Sequence, residues 1–526
     1  MTEPFTLRRC LLLCAPALLL GLWLRVLILH ATPEAMLTAD TNSYWDCVSR
    51  LWNDGKFSIP EKRRWLYPLL LMPAPALPGN TPQAVALAQH SAGLLAIFGV
   101  GWIAGNLTRW RTFVVPVATL LFAASPRSLA YEHQIIADSL MTNAFILAAA
   151  VALPLRGITQ RRLAWTLALC AVVFALKPHG KPLALPILAA AAYFAGVPWR
   201  WHWGNWLLAA LCAALLVSSG SSRQGGWLLL SSTLPLVPET GEPFPQYRAA
   251  LAPVIAEARA LGDAYPWEQY RYKKLLSDSD SYDEIVAGKY FAEAGPEWNP
   301  LTRRKDEFRR VTTALARSGL RAHPIGWMRF TFTKIARGLA DPEINQLNEL
   351  RPLAIWEAQR VRNEERWNER PKAIALMYEM DRATFHSFLM DHIMRYGSIR
   401  QPGIIRSVGE FILWKQIGPA AFQTCWSRDD TANHQVSLTW VGALGLLGIA
   451  ASLRLHAALP LIAAFALSLG TSFGIGDAIP RYVYPVEWML YLLPLLGIGG
   501  VLSALCSVLG RKASGTHHRA LSPEQT

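Results

Sequence analysis

Long apolar stretches, separated by short polar segments, recur along this chain. The first follows Arg8 and Arg9 and extends to about residue 29, which is too long for a signal peptide and indicates a retained helix. Because a helical span needs about 20 apolar residues, the pattern predicts an all-α polytopic membrane protein of about ten transmembrane helices. The predicted spans are 10–29, 84–104, 113–125, 139–154, 163–176, 182–197, 206–219, 436–453, 457–474 and 486–508.

One long polar segment, residues 220–435, interrupts the series of spans. It is rich in proline near 234–253 and charged beyond that stretch, which predicts a mostly helical soluble domain, here called the insert. The chain then divides into an N-terminal transmembrane module (1–219), the insert (220–435), C-terminal transmembrane helices (436–512) and a disordered tail (513–526).

Composition supports the membrane assignment and limits the partners. Hydrophobic residues make up 52% of the chain and charged residues 17%, with a mean hydropathy of +0.21. The net charge of +14 comes without a basic run interleaved with aromatic residues, so no nucleic-acid partner is expected. Membrane lipids and phosphate groups are the expected anionic partners.

The distribution of basic residues predicts the orientation. Threading ten spans brings most short basic loops to one side, which the positive-inside rule makes cytoplasmic, although cations such as Lys56 and Lys62 in the first outer loop weaken the asymmetry. Both termini are then cytoplasmic and the insert is extracytoplasmic, in an inner (plasma) membrane. Only Cys47 and Cys425 are extramembrane cysteines, and both lie on that oxidising side, so we expect a disulfide between them.

Polar residues crowd the predicted outer ends of the spans. Asp40 and Tyr44 follow the first span, and Lys177 and Lys181 flank another outer turn. Such a set suits a lipid-linked phosphate ester, because lysine and arginine neutralise phosphate and a partly desolvated Asp40 can accept a proton from a hydroxyl. Each residue also has a structural reading: the acids can cap helices, and the cations can extend to lipid headgroups.

The order of these motifs resembles the GT-C superfamily of integral-membrane glycosyltransferases, which includes the protein O-mannosyltransferases and the lipid A aminoarabinose transferases. The resemblance covers residues 10–200 and 470–508. The motifs are Asp40-x-x-x-Tyr44, Tyr67-Pro68-Leu69-Leu70, Ser125-Pro126, Asp138-Ser139-Leu140, Lys177-Pro178-His179-Gly180 and Arg481-Tyr482-x-x-Pro485.

The resemblance implies transfer of a sugar from a polyprenyl-phosphate donor to a hydroxyl of a glycan, lipid or protein, with inversion. It implies Asp40 as the catalytic base and Asp138 as a second acid, with Glu132 as its rival. The expected substrate-binding residues are Tyr44, Tyr67, His133, Lys177, His179, Lys181, Arg481 and Tyr482. Two departures matter: Thr41 stands where many relatives carry a second acid, and Lys177 replaces the arginine of their Arg-Pro-x-Gly motif.

No cofactor is firmly implied, although the superfamily leaves a divalent cation open. The outer loops lack a clear ligand cluster, and Asp381, His386, Asp391 and His392 are better interpreted as surface residues than as a metal site. Three other functions stay open. One is a transporter or flippase of a polyprenyl-linked lipid, and another is an O-antigen ligase or polymerase that would use insert residues such as Arg321, His323 or Arg395. The third is a non-catalytic membrane scaffold, whose polar loops would tolerate substitution.

Overall fold

The computed structural model describes the protein in discrete stretches, within which the side chains of a few residues are left out. The described residues are 4–31, 35, 41, 44, 47–48, 51, 55, 64–74, 81–153, 157–196, 202–217, 229–230, 233–242, 244–264, 305–340, 458–475 and 483–519. Within these stretches the chain is all-helical, as the sequence predicts.

The helices are numbered here in chain order. In the transmembrane module they are α1 (Leu7–Ala31), α2 (Leu66–Leu71), α3 (Thr81–Leu107), α4 (Arg111–Ala123), α5 (Pro126–Glu132), α6 (Ala137–Ala152), α7 (Gln160–Leu176), α8 (Gly180–Phe194) and α9 (Trp203–Val217). The later helices are α10 (Pro245–Ala264), α11 (Lys305–Ala322), α12 (Pro324–Ala340), α13 (Leu459–Ile475) and α14 (Tyr484–Arg519).

Each predicted span that falls within the described residues coincides with one of these helices, and the span predicted at 436–453 lies outside them. In the part of the chain that the structure describes, three helices are long and apolar enough to cross a bilayer: Leu7–His30, Gln83–Leu107 and Tyr484–Leu502. Several others, including α6, α8 and α13, are apolar but shorter. The total of about ten spans therefore stays a prediction.

Helix α14 continues beyond the last predicted span to Arg519. The stretch from Lys512 to Arg519 contains no proline, so no residue in it removes a helical hydrogen bond. The domain boundaries, including a disordered tail at 513–526, stay predictions.

The helices of the transmembrane module share one apolar core, in which α3 packs against α1, α4 and α6. Close approach of α1 and α3 depends on Gly101, where an added Cβ would overlap the sulfur of Cys14. Small residues at such crossings allow backbones to approach, which is how helices associate in a bilayer where apolar burial alone gives little driving force.

The two ends of the bundle differ in character. At one end, arginines bond to helix-terminal carbonyls: Arg162 donates to the oxygens of Val151 (3.0 Å) and Ala152 (2.9 Å), and Arg111 donates to that of Gly105 (2.8 Å). At the other end, α1 and α7 finish while α3, α6 and α14 begin. We call this second end the polar end, because the buried ionisable side chains described below lie there.

The described part of the insert has a small core of its own. Leu234, in a short 3-10 helix (Leu234–Leu236), packs with Ile255 of α10 and Leu315 of α11. Helix α12 then connects the insert to the spans by packing on α13. There the Trp327 indole N–H donates to the carbonyl of Gly474 at 3.3 Å, and the Lys334 ammonium donates to that of Phe473, also at 3.3 Å.

Candidate active site

A buried ion pair joins α1 to α5 at the polar end. The Arg25 guanidinium donates from Nε to Oε2 of Glu132 at 2.8 Å and from Nη2 to Oε1 at 2.7 Å. Arg25 also donates from Nη1 to the Gly21 carbonyl at 3.0 Å, which fixes the guanidinium against its own helix. Both partners are buried, so this bidentate pair acts in a medium of low polarity.

Two histidines extend this pair into a chain of polar groups. His90 Nδ1 of α3 lies 3.0 Å from Glu132 Oε2, and His90 Nε2 lies 3.0 Å from His133 Nδ1. A neutral His90 that donates from Nδ1 to the carboxylate accepts at Nε2 from His133. The Glu132 carboxylate therefore orients the His133 ring through His90.

Glu132 is the last residue of the short helix α5, which lies outside the candidate spans. Burial alone would raise the pKa of its carboxyl group, but Arg25 and His90 together outweigh that effect and lower the pKa from its ordinary value of 4.5. Ser128 adds a hydrogen bond to Oε1 at 3.0 Å. Glu132 is thus an ionised carboxylate whose two oxygens both accept hydrogen bonds from neighbours.

Gln89, beside His90 on α3, connects three segments of the polar end. Its amide nitrogen donates to the carbonyls of Glu132 (3.0 Å) and Gln134 (2.7 Å). Its amide oxygen accepts from the hydroxyls of Tyr67 (3.1 Å) and Ser139 (3.2 Å). The hydrogen-bonding capacity of the amide is thereby used in full, which holds the first outer segment, the α5–α6 turn and the start of α6 together.

Tyr44 and Tyr67, two of the predicted substrate-binding residues, pack together at this end. Both rings are buried, and they meet edge to face with their centroids 4.9 Å apart. The neighbouring Thr41 donates from its hydroxyl to the carbonyl of Ile135 at 3.1 Å. This hydrogen bond joins the segment that follows the first span to the turn that precedes α6. Asp40, the predicted base, lies outside the described residues.

Asp138 and Lys177, which come from two different predicted loops, form an ion pair. The Lys177 ammonium lies 2.5 Å from Asp138 Oδ1, and their side chains are 9% and 2% exposed. Asp138 lies in the first turn of α6, where the helix dipole favours a negative charge, and Lys177 caps the C-terminus of α7, where it favours a positive one. The dipoles of both helices therefore support the pair.

The other predicted cations occupy different positions. Lys181 donates from Nζ to the Leu216 carbonyl at the end of α9, at 2.6 Å, and His179 is half-buried at the N-cap of α8. Arg481 and Tyr482 lie outside the described residues. The segment that follows them does reach the polar end, because the ring of Tyr484 stacks on Tyr131 with centroids 4.6 Å apart.

Solved structures with some similarity to this chain include the Archaeoglobus fulgidus oligosaccharyltransferase in its apo form, at 11% identity and a TM-score of 0.33. That alignment covers 98% of this chain and 53% of the other, so the chain spans about half the length of the oligosaccharyltransferase. ArnT from Cupriavidus metallidurans bound to undecaprenyl phosphate is similar at 14% identity and a TM-score of 0.29, over 98% of this chain and 81% of that one. No protein-family model and no curated protein matches the chain.

A third buried acid at the polar end, Glu487, was not expected from the sequence. Its Oε1 accepts from the hydroxyl of Ser125 at 2.8 Å and also from the hydroxyl of Tyr491. Ser125 in turn caps α5 by accepting from the Ser128 amide at 3.1 Å, with Pro126 at the first helical position. The Ser125-Pro126 motif is therefore explained by its place at the start of α5, where serine caps the helix and proline fits the first turn.

Arg25 and His90 were also missed, and a signal for both exists in the sequence. Each lies inside a predicted span, 10–29 or 84–104, and an ionisable residue inside a span is a functional candidate because its burial is costly. The candidate residues of the sequence analysis all lie at the ends of the spans. A search for ionisable residues within the spans would have identified both.

Two expectations stay untested. Cys47 is buried, but Cys425 lies outside the described residues, so their disulfide stays a prediction. Among the residues that the structure describes, no group of three His, Cys, Asp or Glu side chains is arranged to hold a metal ion. Asp381, His386, Asp391 and His392 lie outside this part of the chain.

Proposed function

We propose that this chain is an integral-membrane glycosyltransferase that transfers a sugar from a polyprenyl-phosphate donor to an acceptor hydroxyl at the polar end. The observation that supports the proposal is that three segments, which contain Thr41, Asp138 and Lys177, lie in contact at this end. Thr41, which follows Asp40 in the sequence, bonds to Ile135, and Asp138 pairs with Lys177. Acids and cations from loops far apart in the sequence thus share one buried region.

Lys177 is the proposed partner of the donor phosphate. An ammonium group has three donors, and the Asp138 carboxylate accepts one of them. As the bond from the anomeric carbon to the phosphate oxygen breaks, negative charge grows on the phosphate. A nearby ammonium group lowers the energy of that charge. Arg481 is the second proposed cation, whose fork suits phosphate oxygens.

Asp40 is the proposed base, acting in one displacement. The acceptor oxygen attacks the anomeric carbon, its proton passes to the Asp40 carboxylate, and polyprenyl phosphate leaves with the bonding electrons. Attack opposite the leaving group inverts the anomeric configuration. Asp138 would orient the sugar or the acceptor while positive charge develops at the anomeric carbon.

We assign the role of second acid to Asp138 rather than to Glu132. Arg25, Ser128 and His90 occupy both carboxylate oxygens of Glu132, which leaves it poorly placed to contact a substrate. Glu132 instead positions His133 through His90. In this proposal His133, Tyr44 and Tyr67 line the substrate side of the region, as the resemblance implies.

The proposed location has the polar end facing the extracytoplasmic side of the inner membrane, with both termini cytoplasmic. The insert would then cover the site or recognise the acceptor from that side. A flippase would move the same lipid without consuming it. A ligase of the O-antigen type would depend on insert residues such as Arg321 and His323 rather than on Asp40.

The test is an assay of sugar transfer by the full-length protein in lipid nanodiscs supplied with a polyprenyl-phosphate sugar extract. Asp40→Asn should reduce the release of polyprenyl phosphate by at least about 100-fold, because it removes the proton acceptor. Asp54→Asn, the same change in the same loop, is the matched control and should retain the activity of the wild type. Full transfer by Asp40→Asn would contradict the proposal, and loss with Arg321→Ala alone would favour the ligase.

A further inference from the structure

A cavity of about 870 Å³ lies in the insert. Its walls are the segment that follows the 3-10 helix, the start of α10 and one face of α11, and it shares no residue with the site proposed above. Its volume is within the range of small-molecule sites. Four arginines line it: Arg248, Arg310, Arg317 and Arg321.

The spacing of the α11 arginines explains why they face the same cavity. Positions 310, 317 and 321 differ by seven and four residues, so they share one face of the helix. Val311 and Leu315 occupy another face and are buried in the core of the insert. Burial of that apolar face fixes the rotation of α11 and therefore directs the arginine face towards the cavity.

Two of the arginines are fixed in place by their neighbours. Arg248 is 1% exposed and donates to the carbonyls of Pro238 (2.6 Å) and Glu242 (3.3 Å), which ties the cavity wall to α10. The Arg310 guanidinium lies over the ring of Phe244, 5.6 Å from its centroid. Phe244 holds this position with a φ of +64°, a left-handed backbone conformation that a bulky residue rarely adopts.

The balance of charge in the cavity is strongly positive. Among the lining residues that the structure describes, Glu242 is the one carboxylate, against four guanidinium groups. In the part of the chain that the structure describes, neither Arg317 nor Arg321 takes part in an ion pair, and both are exposed. Like charges held close together repel one another, so an anion that enters between them gains energy from all of them.

We propose that this cavity is a binding site for a phosphorylated ligand, independent of the proposed transfer reaction. Guanidinium groups hold phosphate oxygens through paired hydrogen bonds, and several of them suit a ligand that carries more than one negative charge. The phosphate belongs either to a soluble molecule or to a lipid headgroup. Thr313, which also lines the cavity, adds a neutral hydroxyl group beside the arginines.

The test is calorimetric titration of the full-length protein in neutral detergent with inorganic pyrophosphate. The wild type should bind pyrophosphate, and the affinity should fall at least tenfold in the double variant Arg317→Gln/Arg321→Gln. Arg317→Lys/Arg321→Lys, which keeps the charge but loses the fork, should give an intermediate affinity. Arg329→Gln, on the exposed surface of the next helix and outside the cavity lining, is the matched control and should bind like the wild type.

No binding by the wild type, or equal weakening by Arg329→Gln and the cavity variants, would overturn the proposal. Circular dichroism of each variant checks that the protein is folded, because Arg317 and Arg321 are exposed and their loss should not unfold the insert. The source of the phosphate follows from titrations in nanodiscs. Competition with pyrophosphate by phosphatidic acid, but not by phosphatidylcholine, assigns the site to a lipid headgroup, whereas unchanged binding in both assigns it to a soluble phosphate.

Discussion

Arg25 on α1 and Glu132 at the end of α5, which are 107 positions apart, form a bidentate ion pair at the polar end. The pair also orients His90, which bonds to the same carboxylate. Three helices are thus fixed relative to one another around one buried charge. This arrangement holds the neighbouring turn, which leads from His133 to Asp138, in a defined position.

Arg25→Met should destabilise the protein by about 3–5 kcal/mol, because it leaves the Glu132 carboxylate buried without its cation. Unfolding in mixed detergent micelles measures the change. Arg8→Met, which removes an exposed arginine from the same helix, is the control and should change stability by less than about 0.5 kcal/mol. Equal effects of the two substitutions would show that the ion pair contributes nothing specific.

Gly93→Ala should disrupt the same cluster from another side. A Cβ at Gly93 on α3 would overlap the Glu132 carboxylate, which the ion pair holds too firmly to move. We expect a loss of about 1–3 kcal/mol. Gly470→Ala is the matched control, because its Cβ would meet no atom within 4 Å, and it should stabilise α13 by about 0.5–1 kcal/mol. A stabilising Gly93→Ala would contradict the described packing.

Acidic pH should reduce the contribution of the Glu132 ion pair to the stability of the protein. Because folding lowers the pKa of Glu132, its contribution to stability is fully present above the ordinary value of 4.5 and is lost as the pH falls through the folded pKa. The difference in unfolding temperature between the wild type and Glu132→Gln should therefore be largest near neutral pH. It should shrink progressively below about pH 4.5. A difference that does not change with pH would argue against an ionised Glu132.

The predicted orientation can be tested by labelling from each side of the membrane. Thr240 in the insert and Arg109 in the turn between α3 and α4 are both exposed, and the proposed topology assigns them to opposite sides. In a chain whose native cysteines are replaced by alanine, Thr240→Cys should react with an impermeant maleimide from outside intact cells. Arg109→Cys should react only after the cells are opened. The reverse pattern would invert the topology.

The sequence predicted the helices well, because bilayer thickness sets the length of an apolar run. The span predicted at 84–104 corresponds to α3, and that at 10–29 corresponds to α1. The partners of buried side chains were harder to predict. They depend on the rotation of each helix about its axis, and the apolar runs of α1 and α3 are too uniform to fix it.

In the candidate site, too, the sequence indicated which residues lie there but not which of them contact one another. Asp138 and Lys177 were both selected from the sequence because of their motifs, and they lie together. Their direct pairing is not expected from the sequence, in which Lys177 is a substrate-binding residue and Asp138 a second catalytic acid. Arg25 could not be selected in the same way, because it lies inside the first predicted span and belongs to none of the motifs at the span ends.

The ion pair of Asp138 with Lys177 can serve either to stabilise the fold or to contact a substrate. Substitution of the two residues, singly and together, separates these two roles. Asp138→Asn and Lys177→Met should each reduce stability, because each leaves one buried charge without its partner. The double variant removes both charges and should recover most of that stability. Its transfer activity should be low if the two residues contact a substrate, and near that of the wild type if they only stabilise the fold.

The most direct measurement of the central claim is therefore the release of polyprenyl phosphate by the double variant Asp138→Asn/Lys177→Met, in nanodiscs supplied with polyprenyl-phosphate sugars. If the polar end is the transfer site, the double variant should be folded with an unfolding temperature near that of the wild type and should release the lipid phosphate at least about 100-fold more slowly. Recovery of wild-type transfer together with wild-type stability would contradict the account, because the pair would then be structural only.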